Sequence, residues 1–137
     1  MRFMGLDYGT KRIGVAISDT GCTMAHPLEV IEVKGDGSSM SRIKEIASSY
    51  GITHVVVGLP YNMDGSIGDI ARQVMKWSEE LEAFLGLPIV LWDERLTSFE
   101  AEGMMIDFNV KARKRRQVID KIAAGIMLKS YLDSLGQ

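Results

Sequence analysis

One cysteine, Cys22, is all that the chain of 137 residues has, so no disulfide closes within it and the stapled scaffolds of oxidising compartments are excluded. Long apolar runs are also missing: none approaches the roughly 20 residues needed to span a bilayer. The opening residues MRFMGLDYG turn to glycine and aspartate almost at once, which leaves no apolar stretch of the kind a secretory leader needs. These absences lead us to expect a cytoplasmic protein with no membrane partner. His26 and His54 are isolated and hold no ligand spacing to Cys22, which argues against a zinc site. Neither G-x-x-x-x-G-K-[ST] nor G-x-G-x-x-G occurs, so the common nucleotide-phosphate loops are absent. No internal repeat, low-complexity tract or linker divides the chain.

What is present is a globular composition, 46% hydrophobic and 25% charged, in a chain long enough to bury about two-thirds of its unfolded surface. We expect a single domain over residues 1–137. The nine methionines read as core filler. Charge is unevenly spread. Lys111, Arg113, Lys114, Arg115, Arg116 and Lys121 face only Asp120 within residues 108–121, a local excess of +5 in a chain whose net charge is −2. Such a segment suits a polyanion, or is simply a solvated loop.

Hydrophobic spacing orders the elements. Residues 2–8 and 11–18 are short apolar runs either side of Gly9-Thr10, the pattern of a hairpin. A third extended run, 24–33, contains Pro27, which suits an edge or a strand start. The period then changes: Met40, Ile43, Ile46 and Ala47 repeat at helical spacing, with Ser38 or Ser39 as the expected N-cap. Residues 53–58 read as a buried strand. A helix follows over about 67–85 with Ile70, Val74, Trp77 and Leu81 on one stripe, then a strand at 88–92. A short helix near 98–107, the basic stretch, and a long helix over about 117–135 complete the chain. Strands separated by helices need crossovers, so the last two should run parallel to their neighbours. The expected fold is α/β, a mixed five-stranded sheet of three antiparallel strands and then two parallel ones, flanked by helices.

Three carboxylates stand at notable addresses. Asp7 closes an apolar strand on the face shared by Phe3 and Gly5; it either caps the Tyr8-Gly9-Thr10 turn or is a partly buried charge that needs compensation. Glu94 follows Asp93 at the carboxyl end of a buried strand, where ligand sites of open α/β sheets gather, unless it is a solvated strand end. Asp120 shares a helix face with Ala123, Ala124, Met127 and Tyr131, although an acid in a first helical turn is also favoured by the helix dipole. Each alone is ambiguous. Three acids from separate elements converge only if something holds their charges together, and a hard divalent cation, Mg²⁺ or Mn²⁺, is the usual solution. Clusters of that kind orient water and neutralise the leaving oxygen of a phosphodiester.

The segments GLDYGTKRIGVAISD (5–19), VVVGLPYNMDGS (55–66), LWDERLTS (91–98) and RKRRQVIDKIAAGIMLKSYLD (113–133) closely resemble the YqgF family, also called RuvX, of the ribonuclease H-like superfamily. The resemblance covers essentially the whole chain. It implies a ribonuclease H-like fold and a bacterial nuclease, described for different members as a Holliday junction resolvase or as a nuclease maturing the 5′ end of the small-subunit ribosomal RNA precursor. By motif, the metal-binding acids it implies are Asp7, Glu94 and Asp120, with Asp7 bridging one or two Mg²⁺ or Mn²⁺ ions and cleavage leaving a 3′-hydroxyl and a 5′-phosphate. Lys11, Arg12 and Asn62, with Asp64 and Ser66, match motif positions that contact phosphate or brace ligands. Arg113, Lys114, Arg115 and Arg116 read as phosphate contacts that carry no sequence preference. The expected partner is nucleic acid, structured RNA precursor or branched DNA, bound by a monomer or a homodimer.

One departure stands out. Resolvases of the RuvC type carry two acids one turn apart on the last helix, whereas position 123 here is Ala and the next acid, Asp133, lies about 20 Å further along. A second metal would need a neighbour such as Asp93. Two other readings compete. D-x-G-T opening a hairpin also resembles the phosphate hairpin of actin-like and sugar-kinase proteins, and the acids would equally survive in a non-enzymatic RNA-binding assembly factor.

Overall fold

The computed structural model describes residues 1–93 and 112–135, with side chains in the last helix described from Val118 onward. Five strands form one sheet: β1 (Phe3–Tyr8), β2 (Arg12–Ser18), β3 (Ala25–Glu32), β4 (His54–Leu59) and β5 (Ile89–Asp93), in the order β3-β2-β1-β4-β5. β1, β2 and β3 pair antiparallel, and β4 and β5 add in parallel on the other side of β1. The expected architecture is met. β3 is an edge, which is where its Pro27 can be accommodated without breaking a central ladder. Its register slips between Val15 and Ala16.

Helices α1 (Ser38–Ser49) and α2 (Asp69–Leu85) carry the crossovers, and α3 (Ala112–Leu135) crosses the opposite face. Strand alternation explains the two layers. Met4, Leu6, Ile13, Val15, Val55 and Val57 are buried together with Ile43 and Ile46 of α1 and Val74, Trp77 and Leu81 of α2. The opposite parity sends Phe3, Ala16 and Val56 against Ala124, Met127, Leu128 and Leu132 of α3. β1, the central strand of this mixed sheet, is therefore covered on both faces.

Three local expectations change. The N-cap of α1 is Gly37 at φ +82°, with no side-chain cap bond, and Asp36 Oδ1 accepts the Ser38 N–H at 3.0 Å. The carboxylate two residues upstream does the work expected of Ser38 or Ser39; bonding to the Ser38 hydroxyl and then to its N–H holds Asp36 below the ordinary carboxylate range. In α2 it is Ala71, not Ile70, that is buried, and Ile70 is 60% exposed. Finally, α3 begins at Ala112 rather than near 117. The apolar stripe starts only at its second turn, but Ala, Arg, Lys and Gln are good helix formers without one. The helix expected at 98–107 lies outside the described residues, and no helix among the described residues is long and apolar enough to cross a membrane.

The far end of the sheet is closed by the turn between β2 and β3. Asp19 accepts the backbone N–H groups of Thr23 and Met24 at 2.8 and 3.0 Å and the Thr23 hydroxyl at 2.9 Å. Those bonds, Met24 N–H first, lower its pKa to about 2. A depressed pKa means stability that is present above the ordinary carboxylate value and lost as the pH falls towards 2. Asp19→Asn should therefore melt below wild type at pH 7, and the gap should close in acid. Thermal unfolding at pH 7, 4 and 2 checks this; a constant gap would place the effect in packing instead.

Candidate active site

Because β4 runs parallel to β1 and β5 to β4, the carboxyl ends of all three strands lie at the same end of the sheet. Asp7, the penultimate residue of β1, sits there half-buried. It shares its parity with Phe3, so its side chain belongs to the α3 face. The β1–β2 turn behind it is closed by backbone, Gly9 N–H to the Arg12 carbonyl at 2.9 Å. A closing bond of that kind leaves the turn less dependent on a side-chain cap from Asp7.

Directly opposite Asp7 in the ladder is Gly14. A Cβ on Gly14 would lie 2.0 Å from the Asp120 carbonyl oxygen, so α3 rests on bare backbone at this point. Further along the helix, Gly5 admits Leu128 in the same way, with a Cβ 2.8 Å from the Leu128 Cβ. Opposed residues in an antiparallel pair have Cβ atoms about 5 Å apart, which brings the Asp7 Cβ within about 8 Å of the Asp120 carbonyl. Asp7 and the backbone of Asp120 thus border the same glycine on the α3 face of the sheet. The signal for Gly14 was available in the sequence, since a glycine inside a strand marks a close backbone approach, but the partner could not be read from it.

Asp120 is held by Arg12. Arg12 Nε donates to Asp120 Oδ2 at 2.6 Å, and the two side chains are 30% and 24% exposed. Arg12, expected to contact substrate, therefore has an internal partner, whereas Lys11 is exposed on the turn. Asn62 serves its own loop. Its amide donates to Ser66 Oγ at 3.0 Å, its backbone exchanges bonds with Ser66 and Gly65, and its Oδ1 would be 3.1 Å from a Cβ on Gly68. Ser66 in turn donates to Asp64 Oδ1 through hydroxyl and N–H, and those two bonds lower the Asp64 pKa.

By strand parity Asp93 belongs to the other face of the sheet from Asp7. It pairs with Leu59, has the parity of Ile89, and Leu59 and Ile89 both belong to the α1–α2 face. Asp7 lies on the other one. Glu94 lies outside the described residues, as do the side chains of Arg113, Lys114, Arg115 and Arg116; the backbone of these four is in the first turns of α3. Among the described residues no three of His, Cys, Asp and Glu are grouped closely enough to hold a metal ion. The all-oxygen chemistry of Asp7 and Asp120, with a cation already seated on the latter, suits a hard divalent ion.

A mixed sheet in this order, covered by two helices on one face and one long helix on the other, is the ribonuclease H-like α/β fold. It is shared with Thermus thermophilus RuvC, solved with a Holliday junction substrate (TM-score 0.60, 15% identity, 99% of this chain and 97% of that one). The fowlpox virus resolvase, solved with Holliday junction DNA, matches as closely (TM-score 0.61, 13% identity, 100% of each chain). Sequence narrows the class. The family model described as "RuvX: Holliday junction resolvase" matches residues 1–134. Relatives named "Putative pre-16S rRNA nuclease" include one from Pelotomaculum thermopropionicum, 49% identical across 100% of this chain and 90% of its own. Another, from Listeria monocytogenes, is 47% identical across 98% and 99%. The chain belongs to the RuvX family, and with it to the hydrolases that act on phosphodiester bonds.

Proposed function

We propose that this protein is a divalent-metal-dependent nuclease that cuts structured ribosomal RNA precursor at the 5′ end of 16S rRNA, acting in the cytoplasm. The observation that supports the chemistry is the placement of Asp7 opposite Gly14, on which the Asp120 backbone rests, at the carboxyl end of β1. The named relatives carry the choice of substrate. Asp7, Asp120 and Glu94, which follows the last described residue of β5, would hold Mg²⁺ or Mn²⁺. The bound ion supplies activation of water and neutralisation of charge at the scissile phosphate.

The remaining work falls to the chain itself. Gly14 sets the depth at which α3 lies, and so the separation of the two acids. Lys11 on the turn, and the basic first turns of α3, stand where a phosphate backbone can be held. Four cations at a helix N-terminus oppose the helix dipole, each by a few tenths of a kcal/mol or more. No acid occupies that first turn to offset them. Local rules are broken in this way at functional sites, and phosphate is a ligand that suits four cations. Replacing Arg115 and Arg116 by Gln should weaken RNA binding equally across sequences. It should also flatten the slope of log affinity against log salt by roughly 0.7 to 0.9 for each phosphate that is no longer neutralised. Filter binding from 50 to 200 mM salt tests it, and an unchanged slope would remove these residues from the interface.

The family description and the two solved folds favour a second reading, resolution of four-way DNA junctions. Both substrates offered at matched low salt, with Mn²⁺, Mg²⁺ or EDTA, decide between them. Preferential cutting of RNA precursor supports the first reading; paired cuts in the junction replace it with the second.

A further inference from the structure

We propose that Arg12 is the internal counter-ion of this site: it occupies Asp120 while no divalent cation is bound and releases it, turning to a phosphate of the nucleic acid, when one binds. The inference rests on the assignment of Asp7 and Asp120 as ligands and adds a coupling between metal and substrate.

The geometry supplies the reason. Asp7 and the backbone of Asp120 border the same residue without a side chain, and carboxylates gathered at one site repel unless positive charge intervenes. For Asp120 that charge is Arg12. It lies two residues before Gly14 on the same face of β2 and reaches Asp120 Oδ2 at 2.6 Å. A charge-assisted bond of this length takes up an oxygen that a metal would need. A cation arriving alone must therefore displace the guanidinium and leave it without a partner. A cation arriving with nucleic acid need not, since Arg12, half-buried at the start of β2 beside the exposed Lys11, lies at the end of the sheet where the substrate would bind and a phosphate replaces the carboxylate. Metal and nucleic acid then strengthen each other's binding, and by linkage each does so by the same factor.

Two arrangements of Arg12 give opposite signs. If it competes with the metal, removing it tightens metal binding; if it braces Asp120 for the metal, removing it weakens metal binding. Mn²⁺ titrated into the full-length chain without nucleic acid, followed by the electron paramagnetic resonance of the free ion, distinguishes them. Arg12→Gln should bind Mn²⁺ roughly tenfold more tightly than wild type. Affinity for a short RNA duplex should fall in Arg12→Gln when Ca²⁺ is present and stay near the wild-type value in EDTA, where the guanidinium is committed to Asp120. Unchanged or weaker Mn²⁺ binding in Arg12→Gln overturns the proposal. Should that variant fail to fold, wild type alone decides, because duplex affinity equal in Ca²⁺ and in EDTA shows no coupling and also overturns it. Asp7→Asn separates the two levels of inference. If that variant binds Mn²⁺ as wild type does, the metal site itself is misplaced; if Mn²⁺ binding needs Asp7 and Arg12→Gln still fails to tighten it, only the counter-ion role falls.

Discussion

Gly14→Ala is expected to cost about 3 kcal/mol, the upper end of what overpacking a well-fitted interface does, and to lower the melting temperature by roughly 10 °C in a chain of this size. The added methyl would sit 2.0 Å from the Asp120 carbonyl oxygen, 2.5 Å from its carbon and 3.1 Å from the Lys121 nitrogen. All three are backbone atoms, so no rotamer change relieves the clash. Nor can the strand retreat easily, because Gly14 is paired on one side with Asp7 and on the other with Val30. The first turns of α3 must lift, carrying Asp120 away from Asp7, and cleavage should fall with stability. Gly125→Ala is the matched control. Its Cβ would meet only Pro27, at 3.2 Å from the ring, and glycine to alanine within a helix returns about 0.5 to 1 kcal/mol. That variant should melt close to wild type and cut normally. Far-ultraviolet circular dichroism melts of both, with cleavage assays on the folded proteins, make the comparison. A Gly14→Ala protein that melts within a degree or two of wild type would mean that α3 does not rest on β2 here.

Much of this arrangement is legible from sequence because it follows from periodicity. The switch from alternation in 11–18 to helical spacing from Met40 onward dictates strands first and crossovers later, and Pro27 marks the edge. The address of Asp7 is equally local: a carboxylate on the Phe3–Gly5 face at the end of an apolar run. What sequence could not supply are relations between elements. Nothing in KRIGVAIS says which helix will lie on Gly14, and nothing in RKRRQVID says that Asp120 will be met by Arg12 from more than a hundred residues away. The start of α3 departs from expectation for a related reason. An apolar stripe reports where a helix touches the core, not where its backbone begins. The place of Asp93 turns on parity, which becomes readable only once the pairing of β5 with β4 fixes which face Ile89 and Trp92 occupy.

Asp7→Asn should reduce metal-dependent cleavage by at least about a thousandfold, some 4 kcal/mol of transition-state stabilisation, while leaving the fold in place. Asparagine matches aspartate in shape, so the half-buried position at the end of β1 and its pairing with Gly14 survive. What it removes is the charge. Without it the site presents Asp120, itself neutralised by Arg12, and its attraction for a divalent ion drops. Nucleic-acid binding in EDTA should be retained or slightly stronger, because one negative charge has left the surface that the phosphates approach. This pattern sets a catalytic acid apart from a structural one: an Asp7 that served the hairpin turn would show its loss in melting temperature, with no metal dependence. The decisive comparison is wild type against Asp7→Asn on labelled 16S precursor and on a four-way DNA junction, each with Mn²⁺, Mg²⁺ or EDTA. Cleavage by wild type that needs metal and vanishes in the variant establishes the acid and, through the substrate preferred, the role. Cleavage that survives in the variant removes Asp7 from the chemistry. Folded wild-type protein that binds RNA and cuts nothing under any condition would instead make this chain an assembly factor built on a nuclease fold.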